Sequence, residues 1–262
     1  RSTPLYSSAA SDVYKRQKYI LETRMLLPNA DIDYASFSDF NLSSPQYNGS
    51  YVGPETTTAV EVIDALVQGV GGYAGFTARG RFVLGVVEPP GTSYVVTIDS
   101  STILQDGGRY KISRQPVAEA VNPNVWLVRL GYQLNYTVQT EIASGALQAD
   151  REFANNQFRE AIASDSQLQD KHINAKELLV SSNMQSASDA QDEATRNLAL
   201  YGPECFVYRV ALKNFWSQYL DIGSQVRLVF PRWNLTTGKV GVIVGYAFDL
   251  ARDEAEYDIL VQ

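Results

Sequence analysis

The side chains able to do chemistry are few and scattered along the chain. Its 262 residues include one histidine, His172, and one cysteine, Cys205. Nucleophilic catalysis needs a hydroxyl or thiol within hydrogen-bond reach of a base. His172 stands in the polar run Asp170-Lys171-His172 with no nucleophile motif beside it, and it reads as a surface histidine. Cys205 opens an apolar run with Phe206 and Val207 and reads as a buried structural thiol. A lone cysteine excludes an intrachain disulfide framework and a cysteine-based metal cluster. No G-x-S-x-G elbow, H-E-x-x-H helix or Walker loop occurs. Gly69, Gly71, Gly72 and Gly75 crowd together as in a phosphate loop. They follow a helical pattern and lead into a strand pattern, whereas a phosphate cradle needs the strand first so that helix amides face the anion.

Carboxylates are plentiful, but none stands in a motif. Asp31-x-Asp33 lacks the glycine and the distal glutamate of a calcium loop. Asp249, Asp253, Glu254, Glu256 and Asp258 gather about a hairpin turn and read as a solvated acidic rim. The 16 tyrosines and Trp126, Trp216 and Trp233 could stack on sugar rings. Aromatic residues in β-rich proteins more often fill cores and subunit interfaces, so the three tryptophans stand only as candidate glycan contacts. No catalytic, cofactor-binding or metal-ligating residue is assigned, and no enzyme is expected. Four N-x-S/T triplets, at Asn41, Asn48, Asn135 and Asn234, carry no weight without a sign of secretion.

Composition narrows the classes further. Hydrophobic residues make up 45% and charged residues 19%, an ordinary globular balance. Lys and Arg number 22 against 29 Asp and Glu, a net charge of −7. That balance argues against a phosphate-tracking nucleic-acid binder, which needs basic stripes to displace counterions. No apolar run approaches the roughly 18 residues of a membrane span. Residues 1–17 stand apart: 7–17 (SSAASDVYKRQ) back-translate to the adapter of transposase-based DNA sequencing libraries, and 1–6 fit the primer end and index slot upstream. They are set aside as an adapter-derived artefact, with the true N-terminus expected to lie beyond a truncated reading frame. The other 245 residues hold 19 basic and 28 acidic side chains, net −9.

The elements follow from periodicity. Residues 18–27 carry Ile20, Leu21, Met25 and Leu27 at helical spacing and stop at Pro28. Ser44-Pro45 and Asn48-Gly49 mark turns. Thr58-x-x-Glu61 forms a capping box, and Val60, Ile63, Leu66, Val67 and Val70 then recur as one helical face until Gly71-Gly72. A hairpin follows over 73–87, turning at Ala78-Arg79-Gly80. Short strand-like runs occupy 94–98, 111–113 and 125–130. A helix is expected over 146–162, anchored by Leu147, Phe153, Phe158 and Ile162. A second, opened by Ser186-x-x-Asp189, carries Ala187, Ala190, Ala194, Leu198 and Tyr201 on one stripe and ends at Gly202-Pro203. Strands follow over 205–212, through Val226, Leu228 and Phe230 to Pro231, through Val240, Val242, Val244 and Tyr246, and through Tyr257, Ile259 and Val261. The fold class is α+β: a small helix-plus-hairpin domain (18–90), a β-rich connector with a helix (91–185), and a C-terminal helix with antiparallel strands (186–262). A barrel or sandwich would close that last set.

Two segments resemble tail-hub and host-specificity tip proteins of tailed bacteriophages. The segment 51–87 (YVGPETTTAVEVIDALVQGVGGYAGFTARGRFVLGVV) is similar to a strand, helix and hairpin unit inserted in such hubs. The segments 186–202 (SASDAQDEATRNLALYG), 208–212 (YRVAL) and 220–235 (LDIGSQVRLVFPRWNL) resemble their C-terminal part, where Asp221, Gly223, Val226 and Pro231 fall on the shared pattern. The matches cover roughly 110 residues in family order. They imply a non-enzymatic virion component of the tail tip or baseplate hub, a homotrimer assembled in the bacterial cytoplasm. The tube-end protein, the tape measure and the fibres would be its neighbours, with a host receptor in reach. Gly223 would allow a tight turn and Asp221 would bond local amides. The alternative reading is a carbohydrate-binding adhesin or fibre-proximal module using the tryptophans.

Overall fold

The computed structural model describes residues 18–43, 57–77, 79–115, 124–143 and 145–262. The turn signals at 44–49 and the head of the 51–87 segment lie outside those residues. The first helical turns widen into a π-helix, Ile20–Arg24, which buries Leu21 and stops ahead of Pro28. Helix α1 (Tyr34–Ser43) presses Phe37 and Phe40 into the core. Helix α2 (Ala59–Gln68) begins at the expected capping box. The Glu61 amide donates to Thr58 Oγ1 (3.3 Å), and the Thr58 amide donates to the Glu61 carboxylate (2.7 Å).

The chain then reverses at Gly71, whose φ of +54° is a left-handed conformation that suits glycine. Strands β1 (Gly72–Phe76) and β2 (Phe82–Val86) pair from Gly72↔Val86 to Phe76↔Phe82, so helix followed by hairpin stands as read. Short strands come next: β3 (Val96–Ile98), β4 (Gln105–Asp106), β5 (Arg109–Tyr110) and β6 (Ile112–Gln115), then the longer β7 (Val125–Tyr132).

The single helix expected over 146–162 is in fact a helix and a strand. Helix α3 (Gln148–Asn155) ends at Asn156, which is extended and whose side-chain amide donates to the Glu152 carbonyl (2.8 Å). Strand β8 (Arg159–Ser164) takes over, turning Ala161 and Ala163 inward and leaving Ile162 45% exposed. The period changes from 3.6 to 2 within a window that contains four apolar anchors, and the anchors alone do not show the change. Helix α4 (Ser166–Lys171), β9 (Lys176–Ser181), α5 (Ala187–Tyr201), β10 (Phe206–Lys213), β11 (Gln225–Leu228), β12 (Lys239–Asp249) and β13 (Glu254–Val261) complete the order. Ser186 caps α5 by accepting the Asp189 amide (3.3 Å).

Two larger sheets organise the chain. One has six strands in the order β3-β11-β12-β13-β10-β6, antiparallel except for the β3–β11 pair. It recruits strands from 96–115 to the C-terminal set and stays open, packing both faces as a sandwich does, with no closure into a barrel. The other has the order β8-β7-β9, with β7 antiparallel to β8 and parallel to β9. A first core joins Leu21, Phe37, Ile63, Leu66, Leu84, Val128, Leu130, Met184, Ala190 and Ala194. A second lies on one face of the six-stranded sheet, around Tyr208, Leu228, Ile243, Tyr257 and Ile259. A third, with Leu200, Cys205, Val207, Val242 and Leu260, covers the opposite face. Val240, Val242, Val244 and Tyr246 do not share one face as the alternation predicts. A β-bulge between Ile243 and Gly245 changes the parity, so Val242 and Val244 face the third core while Tyr246 and Phe248 join the second. No helix among the described residues is long and apolar enough to cross a membrane.

Candidate functional site

Two of the four pattern residues, Asp221 and Gly223, lie where the β1–β2 hairpin rests on the six-stranded sheet, while Val226 and Pro231 lie further along the chain in and beyond β11. Gly223 has φ +83° and donates its amide to Ile243 O (2.8 Å), making the tight turn into β11. Asp221 bonds local amides, accepting from Ile222 N (2.9 Å), and its own amide donates to Ser224 Oγ (3.1 Å). Val226 is fully buried, and Pro231 is exposed beyond the end of β11. Three tyrosines from three strands surround Asp221. Tyr73 of β1 donates to Ile222 O with its hydroxyl over Gly223, while the Tyr246 hydroxyl of β12 donates to Phe76 O (3.2 Å) beside Asp221. Tyr257 of β13 is wholly buried, with no hydrogen-bond partner for its hydroxyl among the described residues.

Burial holds the Asp221 carboxyl above its ordinary value, a rise that the Ile222 amide and the Tyr246 hydroxyl only partly offset. Tyr73 is raised by burial and by the Asp221 charge, and the Tyr257 phenol is pushed up to about 12 by burial first, then Asp221 and Tyr246. The cluster is a clamp: two hydroxyl–carbonyl bonds tie the hairpin to the sheet, around a carboxyl whose charge the site disfavours.

A second clamp had no place in the functional reading of the sequence. On α5, Glu193 is fully buried, Asn197 nearly so, and Arg196 lies between them and the hairpin. Arg196 grips the Glu193 carboxylate with two bonds (2.6 and 2.8 Å) and donates to Val70 O (2.9 Å) and Val87 O (2.7 Å), the two flanks of the hairpin. Burial alone would lower the Arg196 pKa, but the bonds and charge of Glu193, with Glu88 and Tyr201 adding to them, make the net shift upward. A Cβ on Gly71 would run into Arg196 Nη2, so this clamp requires the glycine as much as the turn does. The signal was present in the sequence: Glu193 and Asn197 continue the Ala190–Ala194 stripe, where polar residues at helical spacing mark buried partners.

The tryptophans are not brought together. Trp126 sits on β7 in the three-stranded sheet, whereas Trp216 and Trp233 pack against the second core. Trp233 stacks on Phe230 at 5.8 Å and tilts against Tyr208 at 5.7 Å. Trp216 joins Phe215 (5.1 Å) and Tyr219 (6.4 Å) around the short helix Asn214–Gln218. Phe215 and Tyr219 are more than half exposed, and Arg79 of the hairpin turn donates to Gln218 O beside them.

His172, at the end of α4, is half-buried with Nε2 enclosed and unpartnered among the described residues, not a plain surface residue. Cys205 is buried as read, and burial, then the Glu204 charge, lifts its thiol to about 11, an unreactive state. The acidic rim is partly neutralised. Asp258 takes both Arg209 nitrogens (2.8 Å each) and Glu254 takes Lys111 (2.7 Å). Antiparallel register sets Arg209 opposite Asp258, a pairing invisible along one strand. Among the described residues no group of three His, Cys, Asp or Glu converges as a metal site.

No protein-family model matches the chain, and no curated protein matches its sequence. Its fold is similar to that of a chain in the virion of a native gene transfer agent particle, with a TM-score of 0.58 at 14% identity, over 100% of this chain and 54% of that one. A tail protein from Neisseria meningitidis MC58 (TM-score 0.46, 12% identity, 82% of this chain and 58% of that one) is more distant. So is the 43 kDa tail protein of prophage MuSo2 from Shewanella oneidensis (0.41, 9%, 80% and 53%). The chain spans about half the length of the structures it matches.

Proposed function

We propose that this chain is a structural subunit of a phage-type tail, placed at the tail tip or baseplate hub and working by self-association and by docking neighbouring tail proteins. The observation that carries this reading is the likeness of the whole chain to a chain of the gene transfer agent virion. The hub position draws on Asp221, Gly223 and Val226, which take the turn-and-strand arrangement that the resemblance implies. One clamp that fixes the hairpin on the sheet and one that fixes it on helix α5 suit a part that bears load in an assembly. The exposed Phe215 and Tyr219 beside the hairpin turn offer a neighbour the aromatic contact enriched at interfaces. Neighbours of this kind would be the tube end, the tape measure and the fibres, with three copies forming the ring.

Mass spectrometry of purified particles tests the reading. Peptides from residues 18–262 should be present at a few copies per particle, far below the tube protein. Their absence from intact particles would overturn it.

A further inference from the structure

The three-stranded sheet ends in two edges that no further strand among the described residues pairs, and their chemistry matches. On one side, the Asp165 amide donates to Trp126 O (2.8 Å), which makes 126/165 a hydrogen-bonded pair of the β7–β8 ladder. Alternation then turns the N–H and C=O of Glu160, Ile162 and Ser164 away from β7. Gln191 Nε2 meets the outward Ile162 carbonyl (2.9 Å), as that geometry requires. On the other side, the Ser182 amide donates to Gly131 O (2.9 Å), which aims Leu178 and Val180 at β7 and leaves Glu177, Leu179 and Ser181 pointing out. Neither edge pairs with a further strand among the described residues.

The strands at those edges are alike in length and pattern. β8 reads Arg-Glu-Ala-Ile-Ala-Ser and β9 reads Lys-Glu-Leu-Leu-Val-Ser. Both set a glutamate on the central Arg129, at 3.1 Å from Glu160 and 3.3 Å from Glu177. Both expose one aliphatic side chain, Ile162 at 45% and Leu179 at 73%. They run in opposite directions, since β8 is antiparallel and β9 parallel to β7. Exposed edges with apolar side chains are what folded sheets ordinarily cover or blunt.

We propose that β8 of one copy of this chain pairs with β9 of a second copy, antiparallel, with Ile162 opposite Leu179. The proposal rests on the self-association reading and names its surface. In this register the three outward residues of each edge face one another: Glu160 opposite Ser181, Ile162 opposite Leu179, and Ser164 opposite Glu177. Every outward N–H and C=O then finds a partner. Ala161 and Ala163 line up with Val180 and Leu178, which continues the buried face from copy to copy. A slip of one residue would turn the apolar set outward, and a slip that set Glu160 against Glu177 would oppose like charges. Gln191 gives up the Ile162 carbonyl to a backbone donor. Because the two edges differ, the contact is heterologous and repeats, closing into a ring when the rotation per copy allows.

Disulfide trapping in the full chain tests the register. Opposed residues of a hydrogen-bonded antiparallel pair lie about 5.5 Å apart at Cα, inside the roughly 4.4–6.8 Å window for a disulfide. Within one chain Ile162 and Leu179 are separated by β7, two strand spacings or roughly 9.6 Å, so an intrachain bridge is excluded. The native Cys205 is buried and does not interfere. Mild oxidation of the Ile162→Cys/Leu179→Cys variant should give cross-linked dimers and higher species. A Glu160→Cys/Glu177→Cys variant, out of register by four residues, should give at least tenfold less. Leu179→Pro removes an outward N–H and leaves the β7 ladder intact; it should weaken association at least tenfold with the melting temperature of the monomer unchanged. If light scattering shows oligomers but the first variant stays uncross-linked, or both pairs cross-link equally, or Leu179→Pro associates normally, edge pairing is wrong while self-association stands. A wild-type chain that stays monomeric at every concentration overturns both.

Discussion

In the six-stranded sheet, apolar side chains leave both faces and find cover on each: Leu228, Tyr257 and Ile259 on one side, Val207, Val242 and Leu260 on the other. In the three-stranded sheet, one face is covered along its length and the other only in part, with Leu127 buried there. Ala161, Ala163, Val128 and Leu130 face the core, while Ile162, Arg129 and Leu179 form an uncovered row. The larger sheet spends its apolar residues on folding. The smaller one leaves some of them in water, beside two edges that no further strand among the described residues pairs. That division separates residues whose replacement costs stability from residues whose replacement costs assembly.

The comparison can be broken most sharply at the join. Arg196→Ala leaves Glu193 buried and uncompensated, a loss of about 3–5 kcal/mol, measurable by chemical denaturation. An Arg196→Ala protein of unchanged stability would mean that the hairpin is held by other contacts. Leu228→Ala, in the doubly covered sheet, should cost about 2–5 kcal/mol by lost transfer energy and a residual cavity.

Asp221→Asn acts through pH. Burial raises the folded-state pKa of Asp221, so between its ordinary value and the raised one the folded state holds a proton that the unfolded state has lost. Stability from this group is therefore full on the acid side and falls as pH rises through that window. The Asn variant should lack this fall, gaining on the parent from about pH 4 toward neutrality. Parallel stability–pH curves for the two would contradict the assignment. The smallest effect belongs to the bare sheet: Leu179→Ala should change monomer stability by no more than about 0.5 kcal/mol while lowering self-association seen by sedimentation.

How much of this was legible in the sequence depended on range. Thr58-x-x-Glu61, Ser186-x-x-Asp189, the 73–87 hairpin and the strands around Val226 and Tyr257 were readable because their signals are local. The recruitment of β3 and β6 to the C-terminal sheet was not. They are three and four residues long, too short for a period to show, and they pair with strands more than ninety residues away. The β12 bulge was hidden because Gly245 looks like any strand glycine until its partner Asp258 is known. Of the site, the roles of Asp221 and Gly223 were readable as a turn. The tyrosines that surround Asp221 come from positions 73, 246 and 257, and only the folded chain brings them together. Arg196 is not legible because a charged residue on an alanine-rich helix normally faces water, and here two carbonyls and a buried carboxylate turn it inward.

The most direct measurement is amide hydrogen exchange, at residue resolution, on the dilute chain and on its assembled form. The account predicts that β10 and β13 are protected in both, and that the outward amides of Glu160, Ile162, Ser164, Glu177, Leu179 and Ser181 exchange fast in the dilute chain and become protected on assembly. Assembly that leaves those six amides exchanging freely would contradict it.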